Sequence, residues 1–324
     1  MKLKSILLTA VLLAFSLSGA KTGYSETVTS SFAVGSVGGT SYIWGAAMAK
    51  LVETHIPGFK LAVEATSGGA MGPKMIQRKS IDYCHFSVAP MMVDSKKGYM
   101  PDALKDYSRL RVLFPMFPSY FTYWGLEKNG VKNFRDLNGT VFCGGPKLSA
   151  TSLYTPLFLA DFGLSLGKQL NAGMGELPGL MTSGIIDTAG AAAGNPNGPT
   201  VETDSVTPVA ILDFTEEDLD FITRKYPVLS TKIRKAGNYK NSTEDKKALI
   251  FWNYFGCSED APEELAYELT KVFFENIQEF GLVNPPTLET RPEDILDCPI
   301  PLHPGAARYY REIGINIPDS MVKK

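Results

Sequence analysis

GSVGGTSYIWGAAMAKL, residues 35–51, is the stretch from which the fold of this chain can be worked out. It opens on glycines and small hydroxyls. It continues with Ile43, Ala47, Met48 and Leu51 at helical spacing, so it predicts a Gly-rich loop feeding an amphipathic helix from about Thr40 to His55. Phe32, Ala33 and Val34 before it make a short strand, and Pro57-Gly58 ends the helix. The pattern then repeats. Lys60 to Ala65 alternates as a strand, Thr66 to Gly72 is a second Gly-rich loop, Pro73 to Arg78 begins a helix, and Ile81 to Val88 is the next strand. Strand, small-residue loop and helix in succession describe a parallel sheet with helices on its faces. In such sheets ligands sit beyond the carboxyl ends of the strands.

A second unit follows Arg109 to Phe114. Tyr120 to Leu126 is extended, and Thr140 to Cys143 is a strand leading into the Gly-rich stretch Gly144 to Thr151, with a helix over about Ser152 to Phe162. Thr215 to Tyr226 is helical, and Ala248 to Phe255 is a strand returning to the first unit. A long closing helix is expected over Pro262 to Phe280, whose Leu265, Leu269, Val272, Phe273 and Ile277 fall on one face. The expected architecture is therefore α/β with two lobes, each a mixed, mostly parallel sheet flanked by helices, joined by hinge strands. Lobe one takes residues 26–115 plus 251–324 and lobe two residues 116–250.

The N-terminus decides the compartment. Lys2 and Lys4 form a positive start, Ile6 to Leu17 is apolar, and Ser18-Gly19-Ala20 offers small residues for cleavage, so residues 1–20 are expected to be a signal peptide. With them removed, 30 basic residues face 34 acidic ones, a formal charge near −4 that disfavours a nucleic-acid partner. Roughly 300 mature residues exceed one comfortable core, in keeping with two lobes. The four cysteines allow three pairings, of which Cys257 with Cys298 is the candidate if a bridge forms.

Signs of catalysis are missing. His55, His85 and His303 are scattered without metal-ligand spacing and are expected to be structural. Cys84 and His85 are adjacent on a strand and point to opposite faces, so they do not make a nucleophile and base. A dinucleotide-binding enzyme with Glu64 on a ribose is the competing reading, but Gly35-x-x-Gly38-Gly39 lacks the G-x-G-x-x-G spacing. No metal and no cofactor are expected. The loops Gly35–Thr40, Thr66–Ala70 and Gly144–Thr151 suggest a different chemistry: Gly-rich turns that open helices present free backbone N–H groups and a positive dipole end to anions.

These loops carry a resemblance. GSVGGTSYIWGAAMAKL, the T-x-G-G loop at Thr66–Gly69, SIDYCHFS at 80–87 and DLNG at 136–139 resemble, in order and spacing, the TAXI group of solute receptors of TRAP (tripartite ATP-independent periplasmic) transporters. GPKLSAT at 145–151, SGIIDTAGAAAGNP at 183–196 and LHPGAARYYRE at 302–312 extend the resemblance over nearly the whole mature chain. It implies a type II-like periplasmic binding protein, not an enzyme, that hinges shut on a small acidic metabolite such as glutamate, a dicarboxylate or an oxo acid. Its partners would be TRAP membrane subunits, its location the periplasm and its state a monomer. The alternative from another class is an extracytoplasmic sensor or scaffold signalling to a receptor. Carried over by position, the pocket would take Gly38, Gly39 and Tyr42 from the first loop and Thr66, Ser67 and Gly68 from the second. Phe86 and Ser87 would come from a strand end. Ser149, Ala150 and Thr151, then Ala189 and Gly190, would come from the other lobe, with Trp44 as a further apolar wall. Gly69 and Gly72 stand where the resemblance implies Ser and Asn, and Leu148 and Ala150 where it implies Gly.

Overall fold

Two long strands run through the middle of the molecule and belong to both halves. The structure, a computed structural model, describes residues 27–94 and 107–322, so the expected leader lies outside the described residues. The strands are β1 (Val28–Val34), β2 (Phe59–Ala65), β3 (Tyr83–Ser87), β4 (Leu110–Leu126), β5 (Val141–Cys143), β6 (Lys168–Leu170), β7 (Thr188–Ala193), β8 (Val209–Ile211), β9 (Ser230–Arg234) and β10 (Lys246–Ser258). The helices are α1 (Thr40–His55), α2 (Met71–Gln77), α3 (Val88–Asp94), α4 (Ala150–Asp161), α5 (Leu177–Thr182), α6 (Gly198–Val206), α7 (Glu216–Lys225), α8 (Glu263–Glu275), α9 (Ile277–Val283) and α10 (Pro304–Glu312).

One sheet of ten strands carries them in the order β2-β1-β3-β10-β4-β7-β5-β6, with β8 on β4 and β9 on β10. The lobe-one strands β1, β2 and β3 run parallel to one another, and β5 runs parallel to β6 and β7, as the βα repeats require. The antiparallel members are β4 and β10. They pair from Leu110 with Ser258 to Tyr120 with Ile250. At its C-terminal end β10 lies beside β3 through Asn253–Cys257, and at its N-terminal end beside β9 through Lys246–Ile250. Beyond Tyr120, β4 passes to β7. The chain thus crosses between halves near Ser119–Tyr120 and Ile250–Asn253.

The extended run seen in the sequence from Tyr120 is the second half of a single strand, every residue of which is buried. Pro115 and Pro118 mask its first half, because proline donates nothing to a ladder and is tolerated inside a sheet at irregularities. Register shifts fall there, between Asn253 and Tyr254 and between Phe255 and Gly256.

Each lobe has its own core. In lobe one Trp44, Phe114, Phe255 and Phe273 pack together, with Phe114 stacked on Phe273 at 4.3 Å between ring centres. In lobe two Phe121, Tyr123, Phe134, Phe158 and Tyr226 form a separate cluster. Each aromatic ring taken out of water contributes about 1.5–3 kcal/mol, so each half is held by a core of its own. The expected helix 262–280 is two helices. Asn276 interrupts it, with its side-chain amide donating to the Val272 carbonyl at 2.8 Å, the competition with helix bonding that Asn typically offers. All four cysteines are buried free thiols, so the candidate bridge between Cys257 and Cys298 is not formed. Among the described residues no helix is long and apolar enough to cross a membrane.

Candidate ligand-binding cavity

The cavity lies where the lobes meet over the crossing strands. Gly35, Ser36, Gly39, Thr40 and Ser41 line it from the start of α1, and Gly68 and Gly69 from the next loop. His85 and Ser87 come from β3, and Phe117, Ser119, Phe251 and Asn253 from the crossing strands. Pro146, Ser149, Ala150, Met174, Ala192 and Ala193 come from lobe two. Its volume is about 60 Å³. Since about 10–15 Å³ of such space admits one water, it holds roughly four to six water-sized groups. No Asp, Glu, Lys or Arg is among these lining residues.

Two helices aim their amino ends here. The residue before α1 is Gly39, extended and without a side-chain cap, so the N–H groups of Thr40 and Ser41 have no partner inside the helix. The residue before α4 is Ser149, whose Oγ accepts from the Ser152 N–H at 3.2 Å and donates to the Gly144 carbonyl at 2.6 Å. Thr151 donates to the same carbonyl at 2.5 Å.

The floor is a buried polar network. Asn253 donates its amide to the Phe117 carbonyl at 3.0 Å and to Ser119 Oγ at 2.6 Å. Because a carbonyl only accepts, this fixes which end of the amide is nitrogen. The Asn253 oxygen then accepts from Ser87 Oγ at 2.6 Å and faces His85 Nε2 at 2.9 Å. Nε2 therefore carries the ring proton, and Nδ1 is a bare lone pair, buried and without a hydrogen-bond partner. Burial holds the imidazole pKa down at about 4, against the smaller upward pull of the Asn253 contact, so the ring is neutral near pH 7.

The lobes touch through glycine. A Cβ on Gly68, whose φ is +141°, would lie 2.5 Å from the Leu148 carbonyl oxygen, and one on Gly38 3.1 Å from the Gly175 nitrogen. A Cβ on Gly194 would meet Pro286 at 2.5 Å and Thr40 at 2.9 Å. The halves are thus in contact on either side of the cavity.

Of the residues singled out in the sequence, Gly39, Gly68, Ser87, Ser149 and Ala150 line the cavity. Gly38 sits at the lip against Gly175. Tyr42 packs on the lobe-one core, and Thr66 uses its hydroxyl on the Val34 carbonyl at 2.6 Å. Ser67 is beside the lining without entering it. Phe86 is fully buried and stacks on Tyr254, because alternate strand residues face opposite ways and Ser87 faces the cavity. Thr151 is buried behind the loop. Ala189 and Gly190 pack inside lobe two, whereas Ala192 and Ala193, farther along β7, reach the cavity. Trp44 belongs to the core. The alternation that pairs Ser87 with His85 was available in the sequence, as was the isolated Asn253 in an apolar strand.

Comparison with known proteins agrees with this architecture. The model of the NMT1-like family matches residues 32–314. Among solved structures the chain is similar to a periplasmic transporter (12% identity, 82% of this chain and 88% of that one, TM-score 0.54) and to the periplasmic binding protein BugD (13%, 89% and 98%, TM-score 0.52). A protein from Bordetella bronchiseptica RB50 is also similar (15%, 91% and 85%, TM-score 0.50). At these identities the likeness shows the fold, that of periplasmic binding proteins.

Proposed function

The chain belongs to the NMT1-like family, and on that premise we propose that it is an extracytoplasmic solute-binding receptor, not an enzyme. It closes on a small organic acid and hands it to membrane transport subunits. The observation that carries this is the convergence of two helix amino ends, one from each lobe, on a cavity lined by neutral side chains. Free N–H groups and helix dipoles attract negative charge, and a ligand held by both lobes stabilises the closed form by its differential affinity. Neutral donors leave no fixed cation to be separated from the ligand on release. The volume favours a compact acid over a larger solute. The periplasm is the location that the N-terminal sequence supports, and TRAP membrane subunits are the partners that the resemblance to TAXI receptors supports.

Mass spectrometry of small molecules released on denaturing the purified protein tests this, followed by a thermal-shift screen of amino acids, hydroxy acids and dicarboxylates. A ligand specific to the native form raises the melting temperature. The expected result is an organic acid, recovered unchanged. Chemical turnover of the recovered compound, or no acid raising the melting temperature, overturns the proposal.

A further inference from the structure

We propose that the ligand carries, beside its acid group, an O–H or N–H donor, and that Nδ1 of His85 receives this donor. The inference deepens the binding reading above and rests on it. His85 lines the cavity while only 6% exposed, so water does not satisfy its ring freely. One ring nitrogen is committed: Nε2–H donates to an Asn253 oxygen whose identity follows from the Phe117 carbonyl on the other side of the amide. The remaining nitrogen is an acceptor with nothing to accept, and a buried acceptor left unpaired favours any partner that donates a hydrogen bond.

Surrounding groups keep it so. Ser87 donates to the same Asn253 oxygen and does not take the place of a donor to the ring. Gly69 lets its loop lie close to this network, since a Cβ there would lie 2.7 Å from Ser87 Oγ and 3.3 Å from His85 Cε1 and would displace both. Burial also disfavours the protonated ring, so the imidazole does not itself become the partner of a carboxylate. A carboxylate or keto oxygen against Nδ1 would set lone pair against lone pair. The two ends of the site therefore ask for different groups: N–H donors at α1 and α4 for an anion, and an acceptor at β3 for a donor. Hydroxy acids and amino acids meet both demands, whereas plain and keto acids meet only the first.

Matched acids test this by calorimetric titration: propionate with lactate and alanine, succinate with malate and aspartate, glutarate with 2-hydroxyglutarate and glutamate. In at least one set a donor-bearing member is expected to bind about tenfold or more tighter than its plain partner, as sites built around a ligand hydroxyl do. His85→Phe should bring the members of that set within about twofold, and His85→Gln, which can donate to Asn253 and still offer an acceptor, should keep the preference. Equal affinities within every set in the unmodified protein overturn this inference and leave the anion-binding reading standing. So does a preference that survives His85→Phe. If none of the nine acids binds, both fall. Should His85→Phe fail to fold, the matched comparison in the unmodified protein still decides.

Discussion

The two lobes face the same cavity with different means. Lobe one offers an uncapped helix end with Ser36, Thr40 and Ser41 around it, and the His85–Asn253 network on the floor. Lobe two offers a loop that satisfies itself: Ser149 and Thr151 both spend their hydroxyls on the Gly144 carbonyl, and Ala150, Ala192, Ala193 and Met174 complete an apolar roof. The difference teaches that similar Gly-rich loops need not do similar work. Both lobes bring a helix end, but lobe one adds polar side chains that recognise, while the side chains of lobe two only cover.

The largest effect should come from the hub of the recognising half. Asn253→Leu strands the His85 Nε2–H, the Ser87 hydroxyl and the Phe117 carbonyl in a buried site, and a buried polar group left unpaired costs about 1–3 kcal/mol. A loss of about 3 kcal/mol in urea unfolding is expected; a loss under about 1 kcal/mol would show that the network is not what anchors the floor. Acidification should act nearly as strongly, and on the same half. His85 has its pKa lowered from 6.5 to about 4 in the folded protein. The unfolded chain therefore takes up the proton first as pH falls. Stability is full above about pH 6.5 and is lost as pH drops toward about 4, by about 3 kcal/mol from this residue. Burial also lowers His303, with the same sign. The slope measured by unfolding at stepped pH should flatten in His85→Phe, and an unchanged slope would place the acid sensitivity elsewhere.

The contact between halves comes next. Gly68→Ala puts a methyl against the Leu148 carbonyl and forces a φ of +141° on a side-chain-bearing residue. Ligand affinity should fall by about tenfold to a hundredfold, and the ligand-induced decrease in radius of gyration seen by X-ray scattering should disappear. Unimpaired compaction would mean that the lobes close along another line. The smallest effect belongs to the covering half. Thr151→Ala removes the buried hydrogen bond to the Gly144 carbonyl and should cost about 1 kcal/mol of stability while leaving the dissociation constant within about twofold; a tenfold loss in affinity would mean that the Thr151 hydroxyl serves the ligand and not its own loop.

Much of this was legible beforehand. The spacing of Ile43, Ala47, Met48 and Leu51 gives α1 with the bounds Thr40–His55 that the structure shows, because burial on one face and a Gly-rich entry are local signals. The crossing strands were half legible: the apolar run of β10 announces itself, but Pro115 and Pro118 hide the first half of β4. Tertiary pairing with β10 supplies what local propensity denies. The cavity was less legible than the fold. Motif position brings Gly39, Gly68 and Ser149 to the lining, yet position alone does not say which face of a strand a residue presents, as Phe86 and His85 demonstrate, nor that the Thr151 hydroxyl is spent on its own loop. His85 and Asn253 lie 168 residues apart in the chain, and only the antiparallel pairing of β3 with β10 brings them together.

The most direct test is to follow the backbone amides of Thr40, Ser41, Ala150 and Thr151 by NMR while titrating the tightest-binding acid of the nine. If helix ends from both lobes grip one anion, all four amide signals move and fit a single dissociation constant. Movement confined to one lobe, or none at these four while the acid binds elsewhere, would contradict the account.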